Sequence, residues 1–447
     1  MNIRRFPLAR RLGLGALLLL AVSASQATGL AELYDAARQS DPQYAAAKAD
    51  LDGAMTLVPQ AVGQMLPQIG LSGSRIFNDT VNETRSSVGP RSTKYDFIAN
   101  QASLNLSMAL FRPQLWFGLS QSKAQVRQAE SLFRQAQQDL ITRTAQAYFN
   151  VLLAEDNLKM AGEQKAAIAE QLKQAKRYFE AGVGTITDIN EAQARYDTVV
   201  AQELSAENDL EVQVRTLEQL VGRVERKLDR LGPRFALDLP EPADVDRWLE
   251  FSLTNNPQLL SREAAYEAAQ SEVNKNLSNH LPTVDLVAGR GRSENPGFTM
   301  IDNINWSNTV GIQVSVPIFS GGTTNARANQ ASAMKERARY DAEAARRTVT
   351  LSARQQYLNV VNGVAQVKAL RQAVKSNELA LYSAQRGQEA GVRTSFDVLN
   401  AQQLLYTTKR DLARETYRYV LSRLQLRSAA GLLGEEDVAL IQQWLEK

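Results

Sequence analysis

The sequence predicts an α-helical protein joined to a membrane β-barrel. Duplicated β-β-α-α repeats place four strands per chain in a twelve-stranded barrel made by three copies, with a long coiled-coil helical sector beneath it. Three observations carry this. Two very long stretches, Gln114 to Gly232 and Ile318 to Lys447, hold none of the thirteen prolines, so they can be helical over unusual lengths. Four segments of about ten residues alternate apolar and polar side chains, which is the period of a strand. Adding 209 to a residue number in the first half recovers the same residue type in the second half over many positions.

The long stretches are rich in Ala, Gln, Leu, Arg and Glu, which favour helix. Apolar residues step by three and four at Tyr357, Val360, Val364, Val367, Leu370, Val374 and Leu381, then by seven at Val398, Leu405, Leu412, Tyr419, Leu426 and Leu433. Sevenfold spacing keeps one seam on a partner helix and predicts left-handed coiled-coil packing. Each stretch is interrupted once, at Glu180-Ala181-Gly182-Val183-Gly184-Thr185 and at Glu389-Ala390-Gly391-Val392-Arg393-Thr394. Glycine after a helical run ends it, and Thr with Asp three residues on (Thr185/Asp188, Thr394/Asp397) starts the next, so each reads as a tight helical hairpin.

The 209 offset carries Glu180, Gly182, Asp188 and Gln193 onto Glu389, Gly391, Asp397 and Gln402, and Gln146, Tyr148 and Asn150 onto Gln355, Tyr357 and Asn359. An offset of 215 carries Pro42, Leu66-Pro67 and Leu71 onto Pro257, Leu281-Pro282 and Leu286. The chain therefore divides into residues 28–228 and 245–433, with a linker at 229–244 and a C-terminal segment at 434–447. Repeat one is expected to hold a helix, strands at 68–77 and 95–108, a long helix at 112–180 and a helix at 185–228. Repeat two is expected to hold a helix, strands at 283–292 and 307–316, a long helix at 320–389 and a helix at 394–430. The polar connectors Asn78 to Lys94 and Ser293 to Trp306 read as loops.

Residues 1–27 look like an export leader: Arg4, Arg5, Arg10 and Arg11, then the apolar run Leu12 to Val22, then small residues ending at Ala27. That run is too short to span a bilayer, and no other stretch is long and apolar enough. A membrane-inserted form must use strands. Alternation alone also fits a soluble antiparallel sheet. Four strands cannot close a barrel, and an open edge is not tolerated in lipid, whereas three copies supply twelve strands. Removing the leader leaves 47 basic and 48 acidic residues, a balance that argues against nucleic-acid binding.

The chain has no cysteine and one histidine, His280. Thiol chemistry, zinc–thiolate sites and sites built from two imidazoles are excluded, and no metal or cofactor is expected. Gly70-Leu71-Ser72-Gly73 lacks nucleophile-elbow spacing, no phosphate-binding loop occurs, and no enzyme activity is expected. His280 reads as a strand-entry residue with a satisfied hydrogen bond. Phe111, Trp116, Phe117 and Trp306 lie near strand ends, where aromatics either mark the lipid boundary or pack in a core.

Long-range matches, His280-Leu281-Pro282-Thr283-Val284-Asp285-Leu286, Val392-Arg393-Thr394-Ser395-Phe396-Asp397-Val398-Leu399, Leu405-Tyr406 and Ser428-Ala429-Ala430-Gly431, make the chain resemble the TolC family of outer-membrane exit ducts. That resemblance implies a homotrimer in the outer-membrane lipid of a Gram-negative bacterium, with a helical tunnel reaching across the periplasm. It would serve tripartite efflux pumps or type I secretion. Its implied partners are a periplasmic adaptor and an inner-membrane ABC or RND-type translocase. The resemblance puts adaptor docking on Ala181, Gly182, Val183, Ala390, Gly391 and Val392. It puts an acidic constriction at Asp397, with Asn400 where a second acid is found, and a tip restraint on Arg393 with Thr187 and Asp188 as acceptors. Gln388 replaces the family's tyrosine. From the residues alone, Asp397 reads first as a solvated helix-start acid and only second as a pore residue, and Arg393 and Asp188 read first as ordinary surface charges. A non-porous periplasmic coiled-coil spacer is the alternative to a duct.

Overall fold

Pro113 occupies the first turn of a helix that runs without a break for 68 residues, α4 (Pro113–Glu180). At 1.5 Å per residue it is about 100 Å long. In the computed structural model, which describes residues 28–232, 235–294 and 303–446, this helix is the spine of repeat one. The expected export leader lies outside the described residues. Ahead of α4 come α1 (Leu30–Ser40), α2 (Pro42–Met55), α3 (Leu57–Gly63), β1 (Gln68–Ser86) and β2 (Gly89–Phe111), and after it α5 (Ile186–Val221). A short strand β3 (Arg230–Leu231) precedes repeat two: α6 (Val245–Asn255), α7 (Pro257–Leu277), β4 (Thr283–Glu294), β5 (Ile304–Ser315), α8 (Thr323–Glu389) and α9 (Ser395–Ala429). The C-terminal segment holds α10 (Glu435–Gln442) and β6 (Leu445–Glu446).

The strands form one antiparallel sheet in the order β1-β2-β4-β5. Its register aligns Leu71 with Leu104, Leu106 with Ala288, Met108 with Leu286, and Leu286 with Ile312. One face is therefore an apolar belt, which on β4 and β5 gives way to Arg290 and Asn308 at the level of Leu104. The other carries Ser72, Ser103, Asn105, Ser307 and Thr309, with Gly289 and Gly291 between them because an added Cβ would press on Thr309 Oγ1 and Ser307 Oγ at about 3 Å. Among the described residues nothing covers the belt: Leu71 is 81% exposed, Leu104 48%, Val310 82% and Val314 60%. A soluble sheet would bury such a face on a core. Among the described residues, both faces of this one and both edge strands, β1 and β5, are open.

Three expectations are corrected. The Asn78 to Lys94 connector is not a loop, and the strands do not stop at 77 or begin at 95. β1 and β2 form one long hairpin through a two-residue turn at Ser87-Val88, with Gly89 at φ 115°. Backbone pairing needs no apolar side chain, and Thr80 faces Tyr95 while Lys94 bridges Asp79 at 3.0 Å. A 19-residue strand extends about 65 Å, well beyond the roughly ten residues needed to cross a bilayer. The helix expected to run to 228 ends at Val221, because Gly222 takes the left-handed φ of 76°. The single helix expected at the start of each repeat is three in repeat one, interrupted at Asp41-Pro42 and at Thr56, and two in repeat two, interrupted at Asn256-Pro257. Most of the Ser293 to Trp306 connector lies outside the described residues.

Helices pair in the order α5-α4-α9-α8 below the middle of the molecule, while α7 packs between α4 and α8 above it. At the level where α5 and α9 end, a core gathers Tyr148, Phe149, Leu152, Leu217, Tyr419, Leu424 and Trp444. β3 pairs with β6 there, and Tyr148 donates to the Asp229 carbonyl (2.7 Å). Arg230 forks onto Asp156 (2.7 Å) and Glu155 (2.9 Å) of α4, and burial still pushes the Glu155 carboxyl up. A second, much smaller core, Ile168, Leu172, Ala192, Val199 and Leu399, lies near the hairpin tips.

Candidate functional site

Both hairpin tips have the same backbone. In the first, Val183 N–H donates to the Tyr178 carbonyl and Gly182 N–H to that of Phe179, each at 2.9 Å. In the second, Val392 N–H donates to Gly387 (2.9 Å) and Gly391 N–H to Gln388 (3.0 Å). This paired pattern requires a left-handed residue, and Gly182 (φ 76°) and Gly391 (φ 75°) supply it. The turns then present Ala181, Gly182 and Val183, and Ala390, Gly391 and Val392, to solvent.

The following helices open on reciprocal caps. Thr185 N–H and hydroxyl donate to Asp188 (3.0 and 2.7 Å), and Asp188 N–H returns to the hydroxyl (3.2 Å). Thr394 and Asp397 repeat this at 2.9, 2.9 and 3.2 Å. Each such cap is worth about 1 kcal/mol. Hydrogen bonds from the Thr394 backbone and hydroxyl, with Arg393 nearby, hold the Asp397 carboxyl below the usual carboxylate range.

Arg393 Nη1 lies 3.7 Å from Asp397 Oδ1 within its own turn. Among the described residues of one chain it makes no ion pair with Asp188, whose carboxylate serves the Thr185 cap. Thr187 is exposed beside it, and Gln388 is half-buried. Asn400 is engaged across the helix pairs, accepting from Arg195 Nη2 of α5 at 3.1 Å. Arg195 was not visible from the sequence, since it lies 205 positions from its partner. Gly387 was equally silent by itself, although the 209 offset sets it opposite Tyr178.

At the sheet's lower margin Phe111 meets Trp116 edge to face, with ring centroids 5.4 Å apart. At the upper margin Arg290 lies over the Trp306 ring at 5.8 Å. Phe111, Trp116 and Trp306 are exposed and Phe117 half-buried. The three exposed rings sit at the belt's two edges, as aromatics do at lipid boundaries. His280 ends a short 3₁₀ turn before β4 and is exposed. Its expected hydrogen bond is not made to any described residue; solvent reaches the ring instead.

A lipid-ready sheet with two edges free among the described residues, carried on helical hairpins whose longer arms are about 100 Å long, defines a wall segment of an envelope channel. A non-porous spacer would have no use for the exposed belt. The chain belongs to the outer membrane efflux protein family, which it matches over residues 33–223 and 248–432. It is similar to the outer membrane protein TolC of Vibrio cholerae, with 35% identity over 93% of each chain. It is also similar to the alkaline protease secretion protein AprF of Pseudomonas aeruginosa, with 32% identity over 96% of this chain and 89% of that one. The solved structure of the outer membrane protein VceC from Vibrio cholerae shares its fold, with a TM-score of 0.77 at 21% identity, covering 90% of this chain and 96% of that one. The chain is therefore a Gram-negative outer-membrane protein of the efflux and secretion channel class.

Proposed function

We propose that three copies of this chain assemble around one axis into a passive exit duct for efflux or type I secretion. The observation that carries this is the uncovered apolar belt on a four-stranded sheet with both edges free. Joining β5 of one copy to β1 of the next closes twelve strands, removes every edge and leaves room for a lumen. The coiled helices continue that lumen toward the tips, where Asp397, Arg393, Thr187, Asp188, Gln388 and Asn400 form the constriction and its restraints. A periplasmic adaptor docks on Ala181, Gly182, Val183, Ala390, Gly391 and Val392, and an inner-membrane ABC or RND-type translocase supplies the energy. Planar-bilayer recording of the detergent-extracted protein tests the reading. Steps of defined conductance are expected, and a water-soluble, non-conducting particle would overturn it.

A further inference from the structure

We propose that neighbouring copies meet along an electrostatic seam in which a basic stripe of α8 on one copy lies against an acidic stripe of α5 on the next. This rests on the assembly proposed above and names the surface that joins it. The helix order α5-α4-α9-α8 leaves α5 and α8 as the outer flanks of each chain's helical sector. Both flanks carry an exposed stripe stepping by three and four residues. On α8 it is Lys368, Arg371, Lys375, Leu379, Tyr382 and Arg386; on α5 it is Asp197, Val200, Leu204 and Glu207. Each stripe sets two exposed apolar residues among charges of one sign, and the two signs are opposite. Lys368, Arg371, Lys375 and Glu207 make no ion pair among the described residues of one chain, whereas many other exposed charges on these helices are paired within it.

The levels agree as well. The Arg195–Asn400 bond joins a residue nine positions past the start of α5 to one five positions past the start of α9. The second tip is thus set back by about 6 Å at 1.5 Å per residue. Rotation about a common axis keeps equivalent residues of all copies at one height. With that setback Leu379 falls level with Val200 of the next copy, Arg371 within one turn of Glu207, and Arg386 about 6 Å, a little over one turn, from the level of Asp197. Two different faces meet, so the contact is head to tail and closes a ring. The occupant of each stripe is a second copy of this chain.

Because the charges lie at the surface, the seam weakens as salt shortens the Debye length to roughly 3 Å at 1 M. Helical flanks held in this way can part without unfolding either chain.

The test uses the full-length protein in outer-membrane extracts. Val200→Cys with Leu379→Cys, in a chain that has no cysteine of its own, should oxidise to a covalent trimer, and neither single variant should. Glu207→Lys and Arg371→Glu should each raise the conductance of the isolated duct at least twofold at 50 mM salt. The double reversal should restore it, and 1 M salt should erase the differences. Trimers that form but do not cross-link, or a double reversal no better than the singles, would overturn the seam alone. Wild-type chains that stay monomeric would overturn the assembly reading with it.

Discussion

Gly387 and Arg393 occupy one space. A Cβ on Gly387 would stand 2.6 Å from Arg393 Cγ and 3.2 Å from its Cβ. The 209 offset turns this pair into Tyr178 and Gly184, and there the roles reverse: a Cβ on Gly184 would stand 2.9 Å from the Phe179 amide and 3.0 Å from Tyr178. Each tip has room for one large side chain at these two positions. The duplicated turns have resolved that competition in opposite ways, and only the second places a guanidinium at either position.

The two glycines should respond differently to alanine. At Gly184 the obstacle is backbone, which cannot swing aside, so Gly184→Ala is expected to loosen the first tip by on the order of 1–3 kcal/mol. At Gly387 the nearest obstacle is Arg393 Cγ, which a change of χ1 turns away while its Cβ gives by a few tenths of an ångström, and alanine gains about 0.5–1 kcal/mol of helix preference. Gly387→Ala should stay within about 1 kcal/mol of the parent while displacing Arg393. Hydrogen exchange at Val183 and Val392 would read both, and equal protection loss in the two variants would refute the asymmetry.

Asp397 predicts the acid response of the second tip. Its folded carboxyl titrates below the ordinary value of about 3.9, so its contribution is complete above that value and is lost as pH falls through the folded one. Cation preference and tip closure of the reconstituted duct should both decline below about pH 4. Asp397→Asn should start with reduced cation preference and show a flatter decline. An unchanged preference in that variant would remove Asp397 from the constriction.

Most of the architecture was legible because its causes are local and repeated. Proline-free runs, sevenfold spacing, Gly-then-Thr-x-x-Asp turns and period-two segments each write themselves into neighbouring residues. The long β1–β2 hairpin was not, because Asn78 to Lys94 pair through their backbone and carry no lipid face to reveal a strand. The site was legible only in part for a different reason. Thr394 and Asp397 announce their cap by spacing, but the Arg195 contact to Asn400 depends on how two hairpins lie side by side, which no local pattern records.

That contact changes what replacing Asn400 should do. Asn400→Asp would set a carboxylate against Arg195, whose Nη2 is 3.1 Å from the present amide oxygen. The new pair is worth about 0–1 kcal/mol near the surface, and its charge is neutralised locally, so cation preference should barely move. Combined with Arg195→Leu the same aspartate would stand uncompensated, and the duct should become more cation-selective and more readily blocked by divalent cations. Equal selectivity in the single and double variants would show that Arg195 does not govern this position.

The sheet separates lipid from lumen residue by residue, so charge should discriminate its faces. Val310→Lys places an ammonium on the apolar belt, opposite Ala288, at a cost of about 2–4 kcal/mol if it lies near the bilayer midplane. Thr309→Lys is one residue away but points to the face that carries Asn105 and Ser307. It should insert normally and shift ion selectivity instead. Heat-resistant trimers recovered from outer membranes would report insertion, and conductance would report selectivity. If the position 309 variant failed to insert while the position 310 variant inserted normally, the assignment of lipid and lumen faces would be reversed.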